Sequence, residues 1–409
     1  MESTLDYQAF LKALQRPNLN LVADPHQYLL SLSQRSDCED TFHIVDLTSL
    51  FEGFQLWQHC LPDVLPHYSV KTNPDSMIIS TMALLGAHFD CASKGEIDLV
   101  LSLGVDPNKI LFANPRKSPR DILHAKDRGV RRFTFDSLEE LEKITHLYPT
   151  AQLLLRMKTD DSHSSFHLST KFGAHLDLCY HILDTALSKK IDLIGLAFHV
   201  GSNCCYVTSY KKAIFDAITL FNHAKTKWNK QLSILDIGGG WPGSDDLTFR
   251  KIAAIAQQII HDHFDPEVQV IAEPGRFFAA RTTTLAMHVL GKDVLSQHDR
   301  TKMVYFMSNG VYGFFQTSLY FQYDLQQILQ EGWQFYPLKP PSSDLTYPSL
   351  LWGATCDSGD KIIDQLLLPE LNTGDILLVS NMGAYGACVQ TSFNGMPFSQ
   401  PYYLARNSI

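Results

Sequence analysis

Apolar and polar positions alternate in two registers along this chain. From His67 to Ala272, short apolar runs of strand length are separated by segments of helical length, and eight such runs stand out: His67–Lys71, His88–Cys91, Ile110–Ala113, Arg132–Phe135, Leu153–Met157, Ile194–Val200, Ile234–Ile237 and Val270–Ala272. Ser93-Lys94-Gly95-Glu96 and Ser137-Leu138-Glu139-Glu140 fit the Ser-x-x-Glu capping box, so two of the intervening helices carry explicit start signals. Strand, helix, strand at this spacing predicts parallel β with crossover helices. Eight units match a closed (β/α)8 barrel, with an open doubly wound sheet as the second fold the periodicity permits.

Before the repeat, Leu5 to Leu14 has helical spacing, His43–Leu47 reads as a strand, and Leu50 to Cys60 as a helix ended by Leu61-Pro62. Near Arg281 the texture changes to short strands (Thr282–Leu290, Met303–Met307, Ile376–Val379), turn clusters such as Ser308-Asn309-Gly310, and the proline-rich stretch from Pro337 to Pro348, with one short helical candidate at Leu325 to Leu329. That pattern predicts an antiparallel β-domain. The expected organisation is an N-terminal segment 1–42 packing with the β-domain, a barrel over 43–281 and a β-domain over 282–409.

Composition narrows the class. A chain of 409 residues with 45% hydrophobic and 19% charged residues has ordinary globular content, and a net charge of -9 without a basic stripe argues against nucleic-acid binding. No apolar run approaches the length of a membrane span, and Met1 to Ala13 lacks the layout of a secretory signal, so a cytoplasmic location is the default expectation. The 8 cysteines show no CxxC spacing and read as reduced thiols. His261 and His263 are two apart on a helix and face different ways, so no metal is expected.

Catalytic side chains of a barrel sit at the C-terminal ends of its strands. Those ends supply Lys71, Asp90, Arg156, His199, the run Gly238, Gly239, Gly240, and Glu273 with Arg276. A lysine with suppressed charge can condense with an aldehyde; a lone strand-end lysine is more often merely solvated. Three glycines after a buried strand can turn their N–H groups to a phosphate, although a tight turn is the commoner cause. A carboxylate can keep a pyridine nitrogen protonated while an arginine takes a phosphate dianion; a local salt bridge would explain Glu273 and Arg276 equally well in isolation. His199 can lie against a ring, with Ser202 beside a phosphate oxygen. Cys356 as a proton donor and Asp357 as a clamp for an ammonium are chemically reasonable, against the default of an inert thiol and a surface carboxylate.

The motifs Tyr68-Ser69-Val70-Lys71-Thr72-Asn73, Phe89-Asp90-Cys91-Ala92-Ser93-Lys94, Ala113-Asn114-Pro115, Phe198-His199-Val200-Gly201-Ser202, Leu235-Asp236-Ile237-Gly238-Gly239-Gly240, Ala272-Glu273-Pro274-Gly275-Arg276, Asn309-Gly310-Val311-Tyr312-Gly313, Trp352-Gly353-Ala354-Thr355-Cys356-Asp357 and Asn381-Met382-Gly383-Ala384-Tyr385 occur in this order. Together they resemble the fold-type III pyridoxal phosphate decarboxylases, most nearly the eukaryote-type ornithine decarboxylases, over about residues 40 to 405.

The resemblance implies pyridoxal 5'-phosphate as cofactor, Lys71 as its Schiff-base lysine, Glu273 on the pyridine nitrogen and His199 on the ring. It implies Ser202, Gly238 to Gly240, Gly275, Arg276 and Tyr385 around the phosphate, Asp90 and Arg156 as a charged pair on the lysine side, and Cys356 as the acid returning a proton to the α-carbon. It further implies a homodimer with shared sites, in which Cys356 and Asp357 enter from the other subunit, and decarboxylation of a small-molecule amino-acid substrate, a basic diamino acid of the ornithine or lysine type, in polyamine biosynthesis. One position departs from the pattern. Phe321, beside Tyr320, stands where ornithine decarboxylases carry an aspartate for the distal ammonium. Three expectations follow: a substrate with a longer or differently placed amine held by Asp357 alone, substitution of the lost carboxylate by Asp324, or a non-cationic distal group packed on Phe321. Antizyme-inhibitor-like binding proteins and alanine-type racemases share the scaffold and are the alternatives.

Overall fold

The computed structural model describes residues 6–14, 16–35, 38, 40–297, 300–321 and 325–409. The chain divides into two compact units, one of residues 53–277 and one assembled from 1–52 and 278–409.

The first unit is a closed barrel of eight parallel strands: Val64–Ser69, His88–Cys91, Ile110–Phe112, Arg132–Phe135, Gln152–Arg156, Leu193–Ala197, Ile234–Asp236 and Gln269–Ala272, the last pairing back onto the first. Closure decides between the two folds the periodicity permitted. The strands read as nearly continuous apolar runs because both faces are covered, and all five residues of Leu193–Ala197 are buried. The crossover helices are one-faced. In Asp246–His263 the buried positions are Phe249, Ile252, Ala253, Ala256, Ile259 and Ile260, the i, i+3, i+4 stripe of a helix lying on a sheet.

Both capping serines act as the sequence predicts: Ser93 Oγ accepts Glu96 N–H and Ser137 Oγ accepts Glu140 N–H, each at 3.2 Å. The boxes close differently. Glu96 Oε2 reaches back to Ala92 N–H at 2.5 Å, whereas Glu140 is drawn away by the buried Lys117, accepting its backbone N–H at 3.0 Å and pairing with its Nζ at 3.1 Å.

The second unit is a nine-stranded mixed sheet. Thr283–Gln297 pairs antiparallel with Arg300–Met307, Ile376–Ser380 and Phe42–Asp46, while Gln400–Arg406 runs parallel to both Phe42–Asp46 and Leu19–Val22.

Three details differ from the sequence reading. The strand at Phe42–Asp46 lies in the mixed sheet, so the barrel unit begins at Gly53 rather than at residue 43. Its partners stand more than 200 positions away, and periodicity carries no trace of such pairing. The first barrel strand starts at Val64, not His67, and runs through Pro66, the register partner of Ala272. Lys71 is therefore not in a strand but in the 3-10 turn Val70–Thr72 that follows it.

Among the described residues no helix is long and apolar enough to cross a membrane, and no group of His, Cys, Asp or Glu is arranged to hold a metal.

Candidate active site

The C-terminal mouth of the barrel gathers Lys71, Asp90, Arg156, His199, Ser202, Gly238, Gly239, Gly240, Glu273, Gly275 and Arg276 from six strands and the turns after them. Lys71 Nζ lies 2.6 Å from Asp90 Oδ2, on a carboxylate that is fully buried. Ser69 Oγ donates to the same oxygen at 2.7 Å and sits 3.0 Å from the Glu273 carbonyl, which ties the lysine strand to the last strand. Asp90 Oδ1 has no hydrogen-bond partner among the described residues.

Beside the strand leading into Lys71 stands a pair of buried carboxyls, Glu273 after the adjacent last strand and Asp236 at the end of the strand next to that. Burial, then the neighbouring Asp236 and Asp90, pushes Glu273 well above the ordinary carboxylate range, with Lys71 and Arg156 opposing. Burial likewise raises Asp236 to about 7. Asp236 Oδ1 accepts Gly238 N–H at 2.8 Å, which fixes the turn into the glycines. Two carboxyls in one dry pocket do not both ionise, so Glu273 holds a proton, and a basic ring nitrogen brought against it would take that proton and leave an ion pair.

Burial, then Arg156 and Lys71, holds His199 well below the usual imidazole range, so the ring is neutral. Its Nδ1 accepts Gly201 N–H at 3.1 Å, which places the remaining proton on Nε2. Thr159 Oγ1 donates to the His199 backbone carbonyl at 2.6 Å, which fixes the main chain that carries the ring.

The glycines are required where they stand. A Cβ on Gly239 would lie 2.6 Å from His199 Nε2; one on Gly240, at φ +105°, would lie 2.5 Å from the Gly201 carbonyl. A Cβ on Gly275 would lie 2.0 Å from Thr72 Oγ1. Trp241 Nε1 donates to the Gly238 carbonyl at 2.9 Å and Tyr210 Oη to the Gly239 carbonyl at 3.3 Å, so both carbonyls are tied back into the protein. The buried Arg276 brings Nε and Nη2 within 3.3 Å of Ser202 Oγ. A lysine, a protonated carboxyl, a flat neutral imidazole and an arginine–serine–glycine cradle fit a phosphorylated pyridine aldehyde.

In the mixed-sheet unit, Cys356 and Asp357 lie on a loop held by the buried carboxyl group of Asp360. Asp360 accepts Val311 N–H at 2.8 Å, Thr355 N–H at 3.0 Å and Thr355 Oγ1 at 2.7 Å. Gly310 and Gly353 both close on it, for a Cβ at either would lie 2.1 Å from Asp360 Oδ1. Tyr312 Oη donates to Asp357, and this bond, with Gly359 N–H, holds the Asp357 carboxyl below its ordinary range. Asn394 Oδ1 accepts Cys356 N–H at 3.0 Å, and Phe393 stacks on Tyr312 with ring centroids 4.3 Å apart. Cys356 is exposed. Tyr385 takes a left-handed φ of 55°. Tyr320 is 56% exposed, whereas Phe321 is 5% exposed, capping the short helix Gln316–Tyr320. Asp324 lies outside the described residues.

Ser69, Asp236, Thr159, Tyr210 and Asp360 belong to these networks and were not singled out from sequence. Strand alternation could have found Ser69 and Asp236, since each stands two positions before a residue already placed at the mouth. Thr159, Tyr210 and Asp360 carry no such signal.

Residues 47–280 match the family model described as "Pyridoxal-dependent decarboxylase, pyridoxal binding domain". Ornithine decarboxylase of Rattus norvegicus is 38% identical over 388 residues, covering 91% of this chain and 82% of the relative. Antizyme inhibitor 2 of Xenopus laevis is 37% identical, covering 95% and 88%. The crystal structure of the Paramecium bursaria Chlorella virus arginine decarboxylase bound to agmatine superposes with a TM-score of 0.85 at 34% identity, covering 92% of this chain and 100% of that one. With its closed barrel and the polar residues at its mouth, the chain belongs to the fold-type III pyridoxal-dependent amino-acid decarboxylases, and its cofactor is pyridoxal 5'-phosphate.

Proposed function

We propose that the chain decarboxylates a basic L-amino acid with a distal cation, of the ornithine or lysine type, and that it works as a homodimer whose copies exchange Cys356 and Asp357. The observation that carries the substrate reading is the half-buried Asp357 carboxylate, kept ionised by Tyr312 and Gly359 N–H and therefore suited to a cation. The similarity to decarboxylases of ornithine and arginine supports it. So does the short strand-end loop that presents Cys356 beside it.

In this reading Lys71 would hold the cofactor covalently, Glu273 its ring nitrogen and His199 its ring face. Gly238 to Gly240, Ser202, Gly275, Arg276 and Tyr385 would hold its phosphate. When bound, pyridoxal phosphate supplies an electron sink for the pair left at the α-carbon as carbon dioxide departs. Asp90 accepts from Lys71 Nζ and orients it toward the mouth. Glu273, whose buried carboxyl is pushed well above the ordinary carboxylate range, would hold the ring nitrogen of the cofactor and supply the proton that makes the ring an electron sink. His199, neutral, adds contact without adding charge. Cys356 returns a proton to the α-carbon, and Asp357 fixes the distal cation so that the α-carboxylate points into the apolar side of the site.

Phe321 supports a substrate that differs from ornithine at the distal end. A carboxylate replaced by a buried phenyl removes one charge-assisted hydrogen bond, about 1.5–3 kcal/mol. The binding-protein reading draws on the likeness to antizyme inhibitor 2. Against it stand the intact lysine, carboxyl pair and glycine cradle.

Carbon dioxide release is measured from L-ornithine, L-lysine, L-arginine, meso-diaminopimelate and non-basic amino acids with pyridoxal phosphate present. Turnover of one basic amino acid is the expected result. Turnover confined to non-basic substrates would overturn the distal-cation reading. Silence on every substrate, with the cofactor's visible absorbance present and dependent on Lys71, would favour the binding protein.

A further inference from the structure

Asp236 is fully buried at the mouth, and no step of the reaction described above uses it. It ends the strand Ile234–Asp236 in register with Ile271, on the strand that delivers Glu273. Gly238 ties the two acids together: its N–H donates to Asp236 Oδ1 at 2.8 Å, and its carbonyl accepts Glu273 N–H at 2.9 Å. That clamp has little freedom, since Gly238 sits at φ +62°, a Cβ there would run into the Phe198 carbonyl, and Trp241 Nε1 holds the Gly238 carbonyl at 2.9 Å. The side chains also meet, for Asp236 makes a side-chain hydrogen bond with the Glu273 carboxyl. Asp236 Oδ1 is committed to Gly238, and Oδ2 is buried with no other partner among the described residues. Two ionised carboxylates are acceptors only, so this contact holds only with a proton between them.

The groups around the pair are fixed charges or neutral. Asp90 adds negative charge at both acids, Arg156 opposes it at both, Lys71 opposes it at Glu273, and the adjacent His199 is neutral. Below about pH 7 both acids carry a proton, and above it Asp236 has lost its own. In the first state one proton can pass from Glu273 to a ring nitrogen while the other stays on Asp236, donated to the new Glu273 carboxylate. In the second state the same transfer leaves two bare carboxylates side by side in a dry pocket, which is costly.

We propose that Asp236 is a positioning residue for the decarboxylation, holding a proton against Glu273 so that Glu273 can meet the cofactor's ring nitrogen as a single, hydrogen-bonded carboxylate. This rests on the reading of Glu273 as the partner of that nitrogen.

Apoprotein is titrated with pyridoxal phosphate across pH, and binding is read from the cofactor's visible absorbance, for wild type and Asp236→Asn. Asparagine keeps an acceptor for Gly238 N–H and an N–H donor for Glu273 but has no proton to lose. Lys71 and the phosphate titrate in both proteins, so the ratio of wild-type to variant dissociation constants isolates Asp236. That ratio is expected to climb by up to about tenfold per pH unit above about pH 7. A purely structural Asp236 gives a ratio independent of pH, which overturns the proposal. Glu273→Gln separates the two readings: it is expected to weaken cofactor binding by about 10-fold or more, and an unchanged affinity would overturn the ring-nitrogen reading and this proposal together. A pH-independent ratio beside a weakened Glu273→Gln overturns Asp236 alone. If Asp236→Asn does not fold, the infrared carbonyl stretch of protonated carboxyls is followed in the unsubstituted apoprotein. Loss of one acid through about pH 7, with a second retained above it, is expected; a band already gone below that pH, or unchanged through it, overturns the shared proton.

Discussion

Lys71 Nζ and Asp90 Oδ2 are 2.6 Å apart, and Ser69 Oγ shares that same carboxylate oxygen at 2.7 Å. The oxygen that holds the lysine is thus itself fixed from the strand that delivers the lysine. Asp90→Asn keeps the shape and removes the charge. It is expected to lower kcat/KM by about 10- to 100-fold, the range of one charge-assisted hydrogen bond, and to slow reloading of cofactor into the apoenzyme. Steady-state kinetics and the rate of cofactor absorbance recovery check this.

Asp236 and Glu273 make the cofactor-free protein sensitive to alkali. Their folded pKa values lie above those of the unfolded chain, so their contribution to stability is complete below about pH 4 and is lost as pH rises, for Asp236 through about 7. The apoprotein midpoint is expected to fall between pH 5 and 8, and Asp236→Asn to flatten that slope. The buried His43, lowered to about 4 by burial, acts with the opposite sign. Its contribution is present above about pH 6.5 and is lost as pH falls toward 4. Midpoints across this range, for the apoprotein and for His43→Gln, separate the two arms.

Asp360 is the anchor of the loop that carries Cys356 and Asp357. Asp360→Asn turns one acceptor into a donor against Thr355 N–H and is expected to loosen that loop. Alkylation of Cys356 by iodoacetamide, followed by mass spectrometry, should change in rate, while Thr355→Ser, which keeps the hydroxyl, should leave it near wild type. An unchanged rate in Asp360→Asn would mean that the loop is held by Tyr312 and Asn394 alone.

Phe321→Asp tests the distal pocket. A gain of about 10-fold or more in kcat/KM toward ornithine relative to the best wild-type substrate is expected if the phenyl stands for a lost clamp. No gain would place the distal contact elsewhere.

Much of the barrel and its mouth was legible because parallel strands and one-faced helices leave period and capping signals in the chain: Ser93, Ser137 and the strand-end residues Asp90, His199 and Glu273 are all read locally. What escaped is non-local. Phe42–Asp46 looks like any short strand, and only its pairing with Thr283–Gln297 and Gln400–Arg406 places it in the second unit. Pro66 suggests a boundary inside what proves to be a continuous strand. Asp360 is one acidic residue among 43 Asp and Glu, and nothing but its three donors distinguishes it.

The mixed sheet joins the two ends of the chain: Leu19–Val22 and Phe42–Asp46 both pair with Gln400–Arg406. During synthesis Leu19–Val22 and Phe42–Asp46 leave the ribosome long before residues 400–406 that pair with them, while residues 53–277 form a contiguous unit able to close beforehand. For that interval Phe42, Ile44 and Val45 form an open strand edge, the kind of surface that chaperones hold and that aggregates when they do not. Slow or interrupted translation of Gln400–Arg406 therefore leaves Leu19–Val22 and Phe42–Asp46 without the strand that joins them.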